Sequence, residues 1–134
     1  MRLFLALCWI LPVFGGCFAD SSGPVSQLYG GCFAVDDCDL RADTCFEIVE
    51  EDREGVGRMC TNFCDLQAND PDASCFDGGV CYATEPTTWG VCFARCVDVD
   101  GLPNDRLCAP NSVCIEAIRD DGLTDFICWP MYFD

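Results

Sequence analysis

The residues able to do chemistry in this chain are thiols and carboxylates, and the thiols are the more regularly placed. Fourteen of the 134 residues are Cys. Twelve lie in the body of the chain: Cys32, Cys38, Cys45, Cys60, Cys64, Cys75, Cys81, Cys92, Cys96, Cys108, Cys114 and Cys128. Taken in fours they form three units, 32–60, 64–92 and 96–128. Within the units, six, five and five residues separate the second Cys from the third, and 14, 10 and 13 separate the third from the fourth. Three-residue spacers join the units: Thr61-Asn62-Phe63 and Phe93-Ala94-Arg95. Repetition along the whole body implies one small structural unit used three times. A four-cysteine zinc site needs close pairs inside the site, about two to four residues apart. Here such pairs only straddle unit boundaries, so the spacing predicts disulfides rather than metal.

Composition removes most other chemistry. The chain has no His, and its seven basic residues are all Arg. Nucleophile–His sites, imidazole metal ligands, Schiff bases and phosphate-binding Lys are therefore excluded. The formal charge of −16 repels nucleic acid and anionic lipid surfaces. Carboxylate pairs remain, at Asp36/Asp37, Glu50/Glu51 and Asp120/Asp121. They could in principle serve acid–base chemistry, but units of about 30 residues offer no deep cleft, and the pairs read as solvated loop charges. The chain is not expected to be an enzyme.

The elements that position the thiols follow from the flanking residues. An apolar residue follows each third Cys (Phe46, Tyr82, Ile115), and another precedes each fourth (Met59, Val91, Ile127). Between them lie Glu54-Gly55-Val56-Gly57, Glu85-Pro86-Thr87 and Asp120-Asp121-Gly122. Apolar ends around a polar, turn-forming middle predict a short β-hairpin; Asp121-Gly122 reads as a type I′ turn. The fold class is thus small and disulfide-rich, with three tandem four-cysteine units, one hairpin each and little helix. The units should stand in a row, with Phe63 and Phe93 packed at the junctions. Three pairings per unit remain open. First-to-third with second-to-fourth ties the loop to both ends of the hairpin. It gives Cys32–Cys45, Cys38–Cys60, Cys64–Cys81, Cys75–Cys92, Cys96–Cys114 and Cys108–Cys128. Pairing third to fourth across each hairpin is the alternative.

Residues 1–16 read as a secretory signal. Arg2 supplies the positive charge, and the apolar run from Leu3 to Phe14 is too short to span a bilayer. Phe14-Gly15-Gly16-Cys17 resembles the bacterial lipobox, which implies lipidation of Cys17 and a membrane association made only through that anchor. Cleavage after Ala19 is the alternative, giving a secreted or periplasmic protein. Residues 17–31, rich in Ser and Gly, read as a tether.

The four-cysteine unit resembles repeats of outer-membrane and secreted lipoproteins in GC-rich bacteria. It is also similar to whey-acidic and EGF-type modules, whose cysteines interlock in a similar order. With enzyme chemistry discounted, the expected function is that of an exported, envelope-attached, non-catalytic module that binds a protein or glycan through loops and aromatics. A passive envelope spacer and a protease-inhibitor-like protein are the alternatives. Trp89, and the 129–134 aromatic tail with Trp129 and Tyr132, are the candidate binding residues. The other aromatics that follow cysteines, Phe33, Phe46, Phe76, Tyr82 and Phe93, are expected to shield disulfides. Asp98, Asp100, Asn104 and Asp105 alternate around Gly101 in a way that resembles short calcium loops. A plain acidic loop is the alternative there, and no other cofactor is expected.

Overall fold

A computed structural model describes residues 27–49, 57–83, 88–119 and 121–131. Seven strands occur among them: β1 Thr44–Ile48, β2 Gly57–Thr61, β3 Phe63–Asp65, β4 Val80–Ala83, β5 Trp89–Phe93, β6 Ser112–Ile118 and β7 Thr124–Pro130. Antiparallel pairing makes three small sheets: β1-β2, β3-β5-β4 and β6-β7. No α-helix occurs among the described residues; the Cys-bearing loops hold short 3-10 turns instead.

Each hairpin is built from one alternation of Cys and apolar residue. The third and fourth cysteines face each other across it, as Cys45↔Cys60, Cys81↔Cys92 and Cys114↔Cys128. The next pairs are Phe46↔Met59, Tyr82↔Val91 and Ile115↔Ile127. Successive side chains on a strand point to opposite faces. One face of each hairpin therefore carries sulfur and the other carries hydrocarbon. The sulfur face is stapled to the preceding loop, first Cys to third and second to fourth, in all three units. The third and fourth cysteines are direct neighbours, yet each bonds into the loop rather than to the other.

The hydrocarbon faces meet. Met59, Val91 and Ile127, one residue ahead of each fourth Cys, are no more than 1% exposed and share a cluster with Ile48, Val80 and Phe93. Phe46, Tyr82, Ile115, Ala117 and Trp129 pack against that cluster. Strands β2, β5 and β7 each contact the other two. The units are therefore not a row of beads, as the short spacers suggested. Gly57 of the first unit lies against Pro130 of the third. The physical reason is that no single hairpin is large enough to cover its own apolar face. Burying each of these side chains stabilises by about 1.5–3 kcal/mol, and only the other units supply the cover.

The spacers are also more than connections. Cys60, Cys92 and Cys128 donate their N–H groups to the carbonyls of Gly30, Asn62 and Ala94, at 2.8, 3.0 and 2.9 Å. Each acceptor stands two residues ahead of its unit's first Cys. The next residues pair as Gly31↔Met59, Phe63↔Val91 and Arg95↔Ile127. Every unit thus has a lead-in segment beside its second hairpin strand, extended to a full strand, β3, in the second unit alone. Gly90 on β5 sits between the two flanking strands, and a Cβ there would collide with the Tyr82 carbonyl.

Several sequence expectations change accordingly. Leu28 and Tyr29 are not tether: they are buried against the second unit's cysteines Cys64, Cys75, Cys81 and Cys92. The Tyr29 N–H donates to the Cys60 carbonyl at 2.7 Å, and its hydroxyl donates to the Phe76 carbonyl at 2.9 Å. Trp129 and Pro130 belong to β7 rather than to a tail. Phe93 is buried at the junction as expected, but Phe63 is 49% exposed, because it lies on the outer strand β3. At the third hairpin turn only Gly122 of the Asp121-Gly122 pair has positive φ (81°), so the turn is not type I′. The signal 1–16 and most of the tether lie outside the described residues.

Candidate functional site

The three loops are held by their own carboxylates. A 3-10 turn precedes each second Cys: Val35–Asp37, Pro71–Ser74 and Asp105–Leu107. Asp72 and Asp105, three residues before that Cys, accept from the backbone N–H of the third Cys, Cys81 at 2.8 Å and Cys114 at 2.7 Å. Val35 occupies the equivalent position in the first unit. There Asp37 accepts instead from the N–H groups of Phe33 and Ala34, both at 2.9 Å. The Asp37 carboxyl consequently titrates below its ordinary range.

Asp72 also joins two units. Arg119 Nη1 approaches it at 2.9 Å and Arg95 Nη2 at 3.2 Å, and both arginines reach Asp125, at 3.5 and 3.6 Å. Burial raises the Asp72 pKa, but the Cys81 N–H and the two arginines outweigh it, and the group sits below the ordinary carboxylate value. The cluster lies on the seam between the second and third units, where Tyr82 donates to the Ala117 carbonyl at 3.3 Å.

Three of the four candidate calcium ligands, Asp98, Asn104 and Asp105, accept hydrogen bonds from the loop's own backbone. Asp98 Oδ1 accepts from Asp100 and Leu102 N–H, Asn104 Oδ1 from Arg106 N–H and Asp105 Oδ1 from Cys114 N–H. Among the described residues, the trios of ligand atoms within 4.8 Å are all sulfurs, the first, second and fourth cysteines of each unit, and these are disulfide-bonded.

The candidate aromatics divide. Trp89 is 57% exposed at the start of β5. Trp129 is partly buried and stacks on Phe93, with ring centroids 5.4 Å apart and planes within 6°. Cys17 and Tyr132 lie outside the described residues. Phe46, Tyr82 and Phe93 face the core, but Phe33 is 83% exposed and Phe76 is half exposed, so neither shields a disulfide by burial.

Phe33 instead forms one side of a groove of about 520 Å³ between the first and third units. Gly30 and Gly31 also line it, and Pro110 and Asn111 stand on the third unit's side. Sequence reasoning missed this place because its two sides are far apart in the chain. The exposed ring after Cys32 looks the same in sequence as the partly buried ring after Cys45.

Two tyrosine hydroxyls, one buried and one partly buried, give a test of the packing. Burial and the Asp77 charge push the Tyr29 hydroxyl from 10.0 up to about 12. Burial and the Asp125 charge also push Tyr82 up to about 12. Below about 10 both groups are neutral whether the chain is folded or not. Between about 10 and about 12 the unfolded chain sheds these protons and the folded chain keeps them, so stability falls as pH rises through that window. Phenolate absorbance from these two tyrosines should rise together with loss of near-ultraviolet dichroism. Ionisation near the ordinary value with the dichroism intact would contradict their burial.

In comparisons with known proteins, no family model, no curated protein and no solved structure matches this chain.

Proposed function

We propose that this chain is an exported, lipid-anchored cell-envelope protein that acts as a non-catalytic binding module for a protein or a glycan. Six disulfides belong to an oxidising, exported environment. The observation that carries the binding reading is the contrast between core and loops. Apolar side chains fill a shared interior, yet Phe33, Leu40, Val99 and Leu102 stand well exposed on disulfide-stapled loops. Rigid scaffolds that present side chains on loops are the usual architecture of binding surfaces. Three hairpins gathered on one core also make a short body, which favours a binding module over an extended spacer.

The Cys17→Ser variant should leave the membrane fraction, because acylation needs the thiol and stable anchoring needs more than one chain. The released protein should then bind isolated envelopes saturably, and Leu40→Ala with Val99→Ala should weaken that binding without lowering thermal stability. Persistent membrane retention of the Ser variant would remove the anchor. Failure to saturate on envelopes would return the protein to the spacer reading.

A further inference from the structure

The geometry points to a saccharide site: we propose that the groove between the first and third units binds a neutral sugar ring, stacked on Phe33 and held at its edges by the amides of Gln27 and Asn111. This rests on the binding-module reading and narrows it to one site and one ligand class. The first argument is charge. The chain carries 23 acidic residues, yet among the described residues none that lines the groove is charged. Anionic ligands are repelled by the surrounding surface, and a cation would find better partners outside the groove.

The second argument is the character of the lining. Phe33 offers an open ring face, and a sugar's C–H face lies well on the negative face of an aromatic ring. Gln27 and Asn111 both line the groove, and the side-chain amide of each can both donate to and accept from hydroxyls. Gly30 and Gly31 bring no side chain into the space. A volume of about 520 Å³ suits a small ligand of one to a few rings.

The third argument is preorganisation. Cys32–Cys45 anchors the chain beside Phe33, and the Phe33 N–H is fixed on Asp37 at 2.9 Å. Cys108–Cys128 anchors the opposite side, where the Asn111 carbonyl accepts from Met131 N–H at 2.8 Å. Sides held in this way lose little entropy when a ligand is seated.

The test is amide NMR of the exported protein titrated separately with chitotriose, cellotriose and maltotriose. At least one should shift the Gly30, Gly31 and Asn111 signals. Phe33→Ala should weaken that binding about tenfold or more, while Phe33→Trp keeps it. Because Phe33 is exposed, both variants should give the wild-type amide spectrum elsewhere. No shift at these amides with any of the three sugars overturns the proposal, as does binding that Phe33→Ala leaves intact. Shifts there with a proline-rich peptide but with no sugar would assign the groove to a peptide, again overturning it. A sugar that shifts other amides sinks this site and leaves the binding-module reading standing; only failure on whole envelopes removes that.

Discussion

Phe93→Ala should loosen all three units at once. The ring is 2% exposed, stacks on Trp129 of the third unit and meets Tyr82 edge-on at 6.0 Å. It also shares its cluster with Met59 and Ile48 of the first unit. Truncating a buried Phe costs about 3–5 kcal/mol, the lost transfer energy plus the cavity left behind. Against a total stability of about 5–15 kcal/mol, that is a large fraction. The urea midpoint should fall steeply. Hydrogen exchange should accelerate at the amides of Met59, Val91 and Ile127 alike, because one interior serves all three. Acceleration confined to 62–93 would show that the units are independent after all.

Removing the Cys75–Cys92 bond, by Ala at both positions, should cost a comparable amount. The bond closes a separation of 17 residues, worth about 3 kcal/mol in the chain-entropy model, and native disulfides of small domains contribute about 2–5 kcal/mol. Both sulfurs are buried beneath Leu28 and Tyr29, so no water fills the lost volume easily. The same cover sets an order of reduction. Both bonds of the second unit have two buried ends, whereas every bond of the first and third has one partly exposed end, at Cys45, Cys38, Cys114 or Cys108. Stepwise dithiothreitol followed by alkylation and mass spectrometry should label 64–92 last. A midpoint change below about 1 kcal/mol in the double variant, or early labelling of the second unit, would refute this account.

What could be read in the sequence was whatever a side chain announces. The hairpins were legible because Phe46/Met59, Tyr82/Val91 and Ile115/Ile127 sit at matching offsets from cysteines, and these become direct cross-strand pairs. The lead-in segments were not legible. Gly30, Asn62 and Ala94 do the same work through backbone carbonyls, so no common side chain marks them. The shared core was half legible. An apolar hairpin face is visible in sequence, but whether it is covered by its own loop or by a neighbour depends on long-range packing. The acids ahead of each second Cys, Asp72 and Asp105 among them, carry nothing in the sequence that sets them apart from solvated loop charges. Their role as acceptors for the third Cys N–H depends on one position, filled by Asp72 and Asp105 and left to Val35 in the first unit.

The interlocked staples carry a consequence for biogenesis. On the proposed exported reading, a chain crossing a membrane from its N-terminus presents its cysteines one after another, and an oxidant acting on the emerging chain joins consecutive ones first. Every native bond here skips one cysteine, so those early bonds must be exchanged. The fold is suited to that exchange, since the first, second and fourth sulfurs of each unit lie within 4.8 Å of one another. A thiolate freed at one of them can attack the neighbouring bond without the unit opening. Maturation should therefore depend on a disulfide isomerase, three times over in each molecule, and cells lacking one should accumulate fully oxidised but wrongly paired protein.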